Sequence, residues 1–96
     1  MTLRQKQSKL ALMVSMLLQY IYLHGYEATL GDAARMDKRG HVKNSKHYQR
    51  LAIDINLFKN GKYLRKTSDH EIFGVYWESI GGKWGGRFND GNHYEL

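Results

Sequence analysis

Apolar residues near the start of the chain recur with a helical period. Leu10, Met13, Val14, Leu17, Leu18, Ile21 and Tyr22 fall on one stripe, while Ser15 and Gln19 lie off it, as in a helix that buries one side. This helix is predicted to begin at Thr2 or Gln5 and run to Leu23, with Gly25 ending it. Tyr26 to Ala34 reads as a strand broken at Gly31-Asp32, and the polar, basic stretch from Arg35 to Lys46, with Gly40 inside it, reads as a loop. From Leu51 to Phe58 the period changes to two. Leu51, Ile53, Ile55 and Leu57 point one way, and Ala52, Asp54, Asn56 and Phe58 point the other. The aliphatic side is expected under the first helix, which leaves Asp54 on the opposite face, opening into a cleft.

Asn60-Gly61 is a two-residue hairpin signal that returns the chain through Lys62 to Arg65. Ser68 or Asp69 is expected to cap a short helix through Ile80, ended by Gly81-Gly82, with Tyr76 and Trp77 in the core. Lys83 to Gly91 is glycine-rich around Trp84 and Phe88 and reads as an ordered loop, and Asn92 to Leu96 as a final short strand. The sum is one α+β domain spanning residues 1–96, a small antiparallel sheet with helices against one face.

At 96 residues such a domain buries only about 60–65% of the surface its unfolded chain exposes. A bound metal would therefore support folding as well as chemistry. There is no cysteine, so any metal must be held by imidazole and carboxylate rather than thiolate. The formal charge is +6, which suits a polyanionic partner such as nucleic acid, an anionic membrane surface or a wall polymer. Arg35, Lys38, Arg39, Lys43, Lys46 and Arg50 concentrate part of that charge, as a solvated loop or as a rim that attracts substrate. No helix-turn-helix or paired strand aromatics accompany it, so nucleic acid is not the expected partner. Arg4, Lys6 and Lys9 ahead of Leu10 to Leu18 resemble a signal peptide, but no small-residue cleavage site follows. The apolar run is also too short to span a bilayer, so a core helix is expected, without stable membrane insertion.

The chemistry-bearing residues form a split cluster. Ser45-Lys46-His47 precedes Ala52-Ile53-Asp54, and Asp90-Gly91-Asn92-His93 lies near the end. Two histidines, a carboxylate and a further carboxylate nearby are the parts of a catalytic zinc site: three protein ligands, an open position and a base. His47 and Asp54 are seven residues apart, a separation that fails on one regular strand. It works if His47 sits in the loop before the strand. Ala52 is small and leaves room. His93 and Glu95 share one face of the last strand, with Tyr94 and Leu96 on the other. His24, His41 and His70 read as surface or hydrogen-bonded structural residues.

The order Ser-x-His-(x)6-Asp followed by Asp-x-x-His resembles the zinc peptidases that cut D-amino-acid bonds in peptidoglycan, the D-alanyl-D-alanine carboxypeptidases and L-alanyl-D-glutamate endopeptidases. Ser45, His47, Ala52 and Asp54 match the fuller motif Ser-x-His-x-x-Gly-x-Ala-x-Asp, with Arg50 where the family has glycine. The segment from Trp84 to Leu96 looks like the end of the phage endolysin-type members, which use aspartate where others use glutamate. The resemblance implies a Hedgehog/DD-peptidase-like fold, one zinc ion held by His47, Asp54 and His93, and Asp90 as the base. It also implies Ser45 as a substrate or supporting contact and an oxyanion-stabilising arginine, for which Arg35 is the candidate and Arg39 the competitor. Trp84 is a candidate substrate contact or a packing residue, and Glu95 a structural or substrate-binding partner. The implied reaction is hydrolysis of a bond in the peptidoglycan stem peptide, L-alanyl-D-glutamate first and D-alanyl-D-alanine second, with a non-catalytic zinc-binding relative as the other reading. A monomer accumulating in the host bacterial cytoplasm before lysis fits the phage-like resemblance.

Overall fold

A computed structural model describes residues 1–32 and 49–96. Helix α1 covers Leu3–Leu23. Thr2 starts it with a reciprocal cap: the Gln5 N–H donates to Thr2 Oγ1 at 3.1 Å and the Thr2 N–H donates to Gln5 Oε1 at 2.8 Å. The exit is at Gly25, whose φ of 83° is the left-handed geometry predicted for it. Leu10, Met13, Leu17 and Ile21 are the buried positions. The stripe read from sequence is wider than the face the sheet covers. Val14 and Leu18 are only partly buried, and Tyr22 is exposed. The Tyr22 hydroxyl instead takes the Ala28 N–H at 3.2 Å and lies 3.3 Å from the Ala28 carbonyl, steadying the next strand.

That strand, β1, is short, Glu27–Leu30. It pairs antiparallel with β2, Ala52–Lys59, from Glu27↔Phe58 to Leu30↔Ile55. The predicted break at Gly31-Asp32 is a change of register, and pairing continues through it. The Gly31 N–H donates to the Asp54 carbonyl at 2.7 Å and the Asp54 N–H donates to the Asp32 carbonyl at 2.8 Å. Two residues thus face one, the count of a β-bulge. A side chain at Gly31 would crowd Asp54, with a Cβ only 3.1 Å from Asp54 Cβ. The loop predicted from Arg35 to Lys46 lies outside the described residues.

Asn60 and Gly61 both take positive φ, 52° and 76°, the pairing a two-residue type I′ turn requires. They carry the chain into β3, Lys62–Leu64, against the far half of β2. A 3₁₀ turn, Thr67–His70, leads into helix α2, Glu71–Ser79. The Asp69 carboxylate accepts the Lys66 N–H at 3.0 Å, so it closes this turn and does not cap the helix directly. Gly81, at φ 103°, ends the helical stretch.

The ordered loop expected from Lys83 to Gly91 opens with a two-residue strand, β4, Lys83–Trp84, followed by a 3₁₀ turn, Gly85–Phe88. The last strand, β5, is His93–Glu95 and pairs with both β2 and β4. The sheet order is β1-β2-β5-β4, with β3 beside β5 on the same edge of β2. The architecture is α+β: a small open antiparallel sheet with both helices on one face.

The two sides of the sheet differ as the alternation of β2 requires. Ile53, Ile55, Leu57 and Tyr94 pack with Leu17 and Ile21 of α1 and Phe73 and Trp77 of α2 in one buried cluster. Tyr20 and Tyr76, with rings stacked at 4.0 Å, tie the two helices together at its margin. Asp54, Asn56, His93 and Glu95 carry the other face.

Candidate metal centre

The centre is built on one rung of the sheet. Asp54 of β2 stands opposite His93 of β5. The Asp54 backbone groups bond toward β1, whereas the Ile55 N–H donates to the Asn92 carbonyl and the Leu96 N–H to the Leu51 carbonyl. Asp54 and His93 are therefore a non-hydrogen-bonded pair of the β2–β5 ladder, the type that brings facing side chains closest. His93 Nδ1 lies 3.4 Å from Asp54 Oδ1, and His93 Nε2 lies 2.9 Å from Glu95 Oε1. All three side chains are half-buried. Asp54, chiefly, and Glu95 hold the His93 imidazolium against the opposing effect of burial and push its pKa up to about 9.

The rung is pinned from the core side. Tyr94, between His93 and Glu95, is fully buried, and its hydroxyl lies 2.8 Å from Nδ1 of the buried His70. The Trp77 indole N–H donates to the Glu95 carbonyl at 2.8 Å. The neighbouring turn is fixed by backbone: the Asp90 N–H donates to the Gly85 carbonyl at 3.0 Å and the His93 N–H to the Asp90 carbonyl at 3.1 Å. Gly85 is required here, because a Cβ would strike the Asp90 carbonyl and come within 2.8 Å of His93 Cβ.

Asp90, His93 and Glu95 line one cleft of about 390 Å³, together with Lys83, Trp84 and Phe88. Asp90, Asp54 and His93 are thus brought to one side of the sheet. Trp84 forms part of the wall, but it is only 4% exposed. Its N–H donates to the Gly91 carbonyl at 2.7 Å, and a Cβ at either Gly74 or Gly86 would collide with its ring. That is the packing role, and it leaves the indole N–H no capacity for a substrate. His24 and His70 are structural, bonded at Nδ1 to the Tyr20 carbonyl (2.7 Å) and the Tyr94 hydroxyl (2.8 Å). Ser45, His47, Arg35, Arg39 and His41 lie outside the described residues.

Arg50 occupies a backbone position that suits glycine. Its φ is 56°, in the left-handed region where glycine sits without cost and a side chain does not. A glycine in the corresponding motif position meets the conformation of the turn that feeds β2.

The donor set suits zinc in kind. One imidazole and one carboxylate stand side by side, and the second ring nitrogen is held by another carboxylate, the usual arrangement for orienting a ligating histidine. The proton that His93 carries between those carboxylates is one a metal would displace. Among the described residues no group of three or more histidines, cysteines, aspartates or glutamates is close enough to hold a metal ion; Asp54 and His93 provide two positions and the third expected one, His47, is outside them. Lys83 and Phe88 went unnoticed as cleft residues in the sequence. The one signal for Lys83 was its alternation with the buried Trp84, which becomes legible only once β4 is known.

A family model described as D-alanyl-D-alanine carboxypeptidase matches residues 39–96, more than half of the chain. The matched span includes Ser45, His47, Asp54, Asp90 and His93 and leaves out Arg35. No curated protein matches the chain.

Proposed function

The chain belongs to the D-alanyl-D-alanine carboxypeptidase family, and from that premise we propose that it hydrolyses the L-alanyl-D-glutamate bond of the peptidoglycan stem peptide. The observation that carries the reading is the Asp54–His93 rung, which meets Asp90 at one cleft on the polar face of the sheet. The choice of bond rests on the phage-like closing segment from Trp84 to Leu96, with aspartate at position 90. Asp54 and His93, with His47 as the third ligand, are the residues that would hold one zinc ion. When bound there, a zinc ion would lower the pKa of a water molecule and polarise the scissile carbonyl.

The chain's own groups supply the rest. The Asp90 carboxylate takes a proton as water attacks and returns it to the leaving amine nitrogen. Its backbone is fixed on both sides by the Gly85 and His93 hydrogen bonds, which holds its Cα in place beside the rung. Glu95 holds the His93 ring from its other nitrogen. Arg35 is assigned to the developing oxyanion and Ser45 to a substrate or supporting contact. The protein acts as a monomer and, as a phage-type lysis enzyme, accumulates in the host bacterial cytoplasm before reaching the wall. Among the described residues no helix is long and apolar enough to cross a membrane.

The family description favours a second reading, removal of the terminal residue from D-alanyl-D-alanine. Digestion of purified peptidoglycan with mass spectrometry of the products separates the two. New L-alanine carboxyl and D-glutamate amino termini are expected. Release of free D-alanine alone would replace the endopeptidase with the carboxypeptidase.

A further inference from the structure

The cleft has walls that oppose the substrate assigned to it. Asp90 and Glu95 line it, and a stem peptide that carries free carboxylates would be repelled by both. Apart from the His93 imidazolium, which Asp54 and Glu95 already engage, Lys83 is the cation among the described residues that line it. It pairs with Glu95 across β4 and β5, so its side chain rises on the polar face beside the His93 rung. The ion pairs among the described residues join Arg87 to Glu78 and His93 to Asp54 and Glu95, and Lys83 enters none of them. Arg87, the nearest other cation in sequence, is engaged at 2.7 and 2.9 Å by Glu78.

Phe88 stands at the lip of the same cleft. At 86% exposure it is the most exposed large hydrophobic side chain among the described residues. It projects from a rigid base: the 3₁₀ turn Gly85–Phe88 is closed by Asn89 at φ 61° and by the hydrogen bonds from Asn89 to Gly86 and from Asp90 to Gly85. An aromatic side chain held in water contributes little to the core, and the fixed backbone of the turn presents it at the cleft for contact with a ligand.

We infer that Lys83 and Phe88 form the substrate-docking subsite of this cleft: Lys83 receives a free carboxylate of an acidic peptide, and Phe88 packs on its aliphatic part. The subsite rests on the stem-peptide reading and adds the residues that select for it. Lys83 offsets the Asp90 and Glu95 charges for an anionic ligand, so it discriminates the free acid from the amide, whereas Phe88 does not sense charge.

The test uses full-length protein carrying Asp90→Ala throughout, so that ligand survives the titration. Calorimetry would compare the tetrapeptide L-alanyl-γ-D-glutamyl-L-lysyl-D-alanine with its fully amidated form. Lys83→Met should weaken binding of the free acid by about tenfold and leave the amidated peptide unchanged, with Lys83→Arg restoring the free acid. Phe88→Ala should weaken both peptides by a similar factor. Unchanged free-acid binding in Lys83→Met, or equal loss for both peptides, would overturn the Lys83 assignment, and unchanged binding in Phe88→Ala would overturn that of Phe88. If the parent binds neither peptide, the stem-peptide reading itself fails and the subsite falls with it.

Discussion

Acid should loosen the core side of the Asp54–His93 rung through His70. This imidazole is 2% exposed and shares a 2.8 Å hydrogen bond with the Tyr94 hydroxyl. Burial pushes its pKa down from 6.5 to about 4, against a smaller upward pull from Asp69. The unfolded chain therefore binds more protons than the folded one between those two values, and stability rises with pH across that window. The contribution is complete above about pH 6.5, falls as the solution is acidified, and is gone by about pH 4. Each tenfold change in proton affinity is worth about 1.4 kcal/mol, so the window amounts to about 3 kcal/mol. For a domain whose total stability is on the order of 5–15 kcal/mol, that is a large share. Urea unfolding of metal-free protein at several pH values between 4 and 8 gives the profile. Subtracting the profile of His70→Gln, which has no imidazole to titrate, removes the contributions of every other group. The difference should grow by about 3 kcal/mol from the acid to the neutral end. A difference that stays flat, or grows toward acid, would refute the assignment of a neutral, buried His70.

Three further outcomes follow from particular contacts. Gly74→Ala should lower stability by about 1–3 kcal/mol in thermal or urea unfolding, because its Cβ would meet the Trp84 ring, which has no room to retreat. Arg50→Gly should change stability little or raise it by up to about 1 kcal/mol, since relief of the left-handed strain at φ 56° is partly offset by glycine's greater unfolded freedom. It should leave the bond cleaved unchanged, as read by product mass spectrometry. Glu95→Gln, which keeps a hydrogen-bonding group beside His93 Nε2 but removes its charge, should weaken zinc binding by about tenfold in competition with a chromophoric chelator.

Much of the site's frame was legible because it depends on local rules. The alternation from Leu51 to Phe58 put Asp54 on the face away from the core, and the same period put His93 with Glu95 and turned Tyr94 inward. Asn60-Gly61 formed the turn its residue types demand. What escaped depends on partners far apart in sequence. β4 is two residues long and exists through its pairing with β5, so no periodicity could announce it, and Lys83 was lost with it. For His70 the reading left surface and hydrogen-bonded structural roles open; the second holds, and its partner, Tyr94, lies 24 residues away, beyond any local rule. Gly74, Gly86 and Trp84 read as separate residues, although their sizes answer one another across the fold. Arg50 stood out as a departure from a motif; its backbone angle accounts for the motif's glycine, and nothing in the structure explains the arginine.

The most direct test of the account is zinc content set beside hydrolysis. Metal would be counted by mass spectrometry in the wild type, Asp54→Ala and Asp90→Ala, and the same preparations assayed on purified peptidoglycan. The account predicts one zinc and cleavage in the wild type, loss of both in Asp54→Ala, and one zinc with cleavage reduced by about 10²–10⁴ in Asp90→Ala. Full zinc content and full cleavage in Asp54→Ala would contradict the metal rung at its centre.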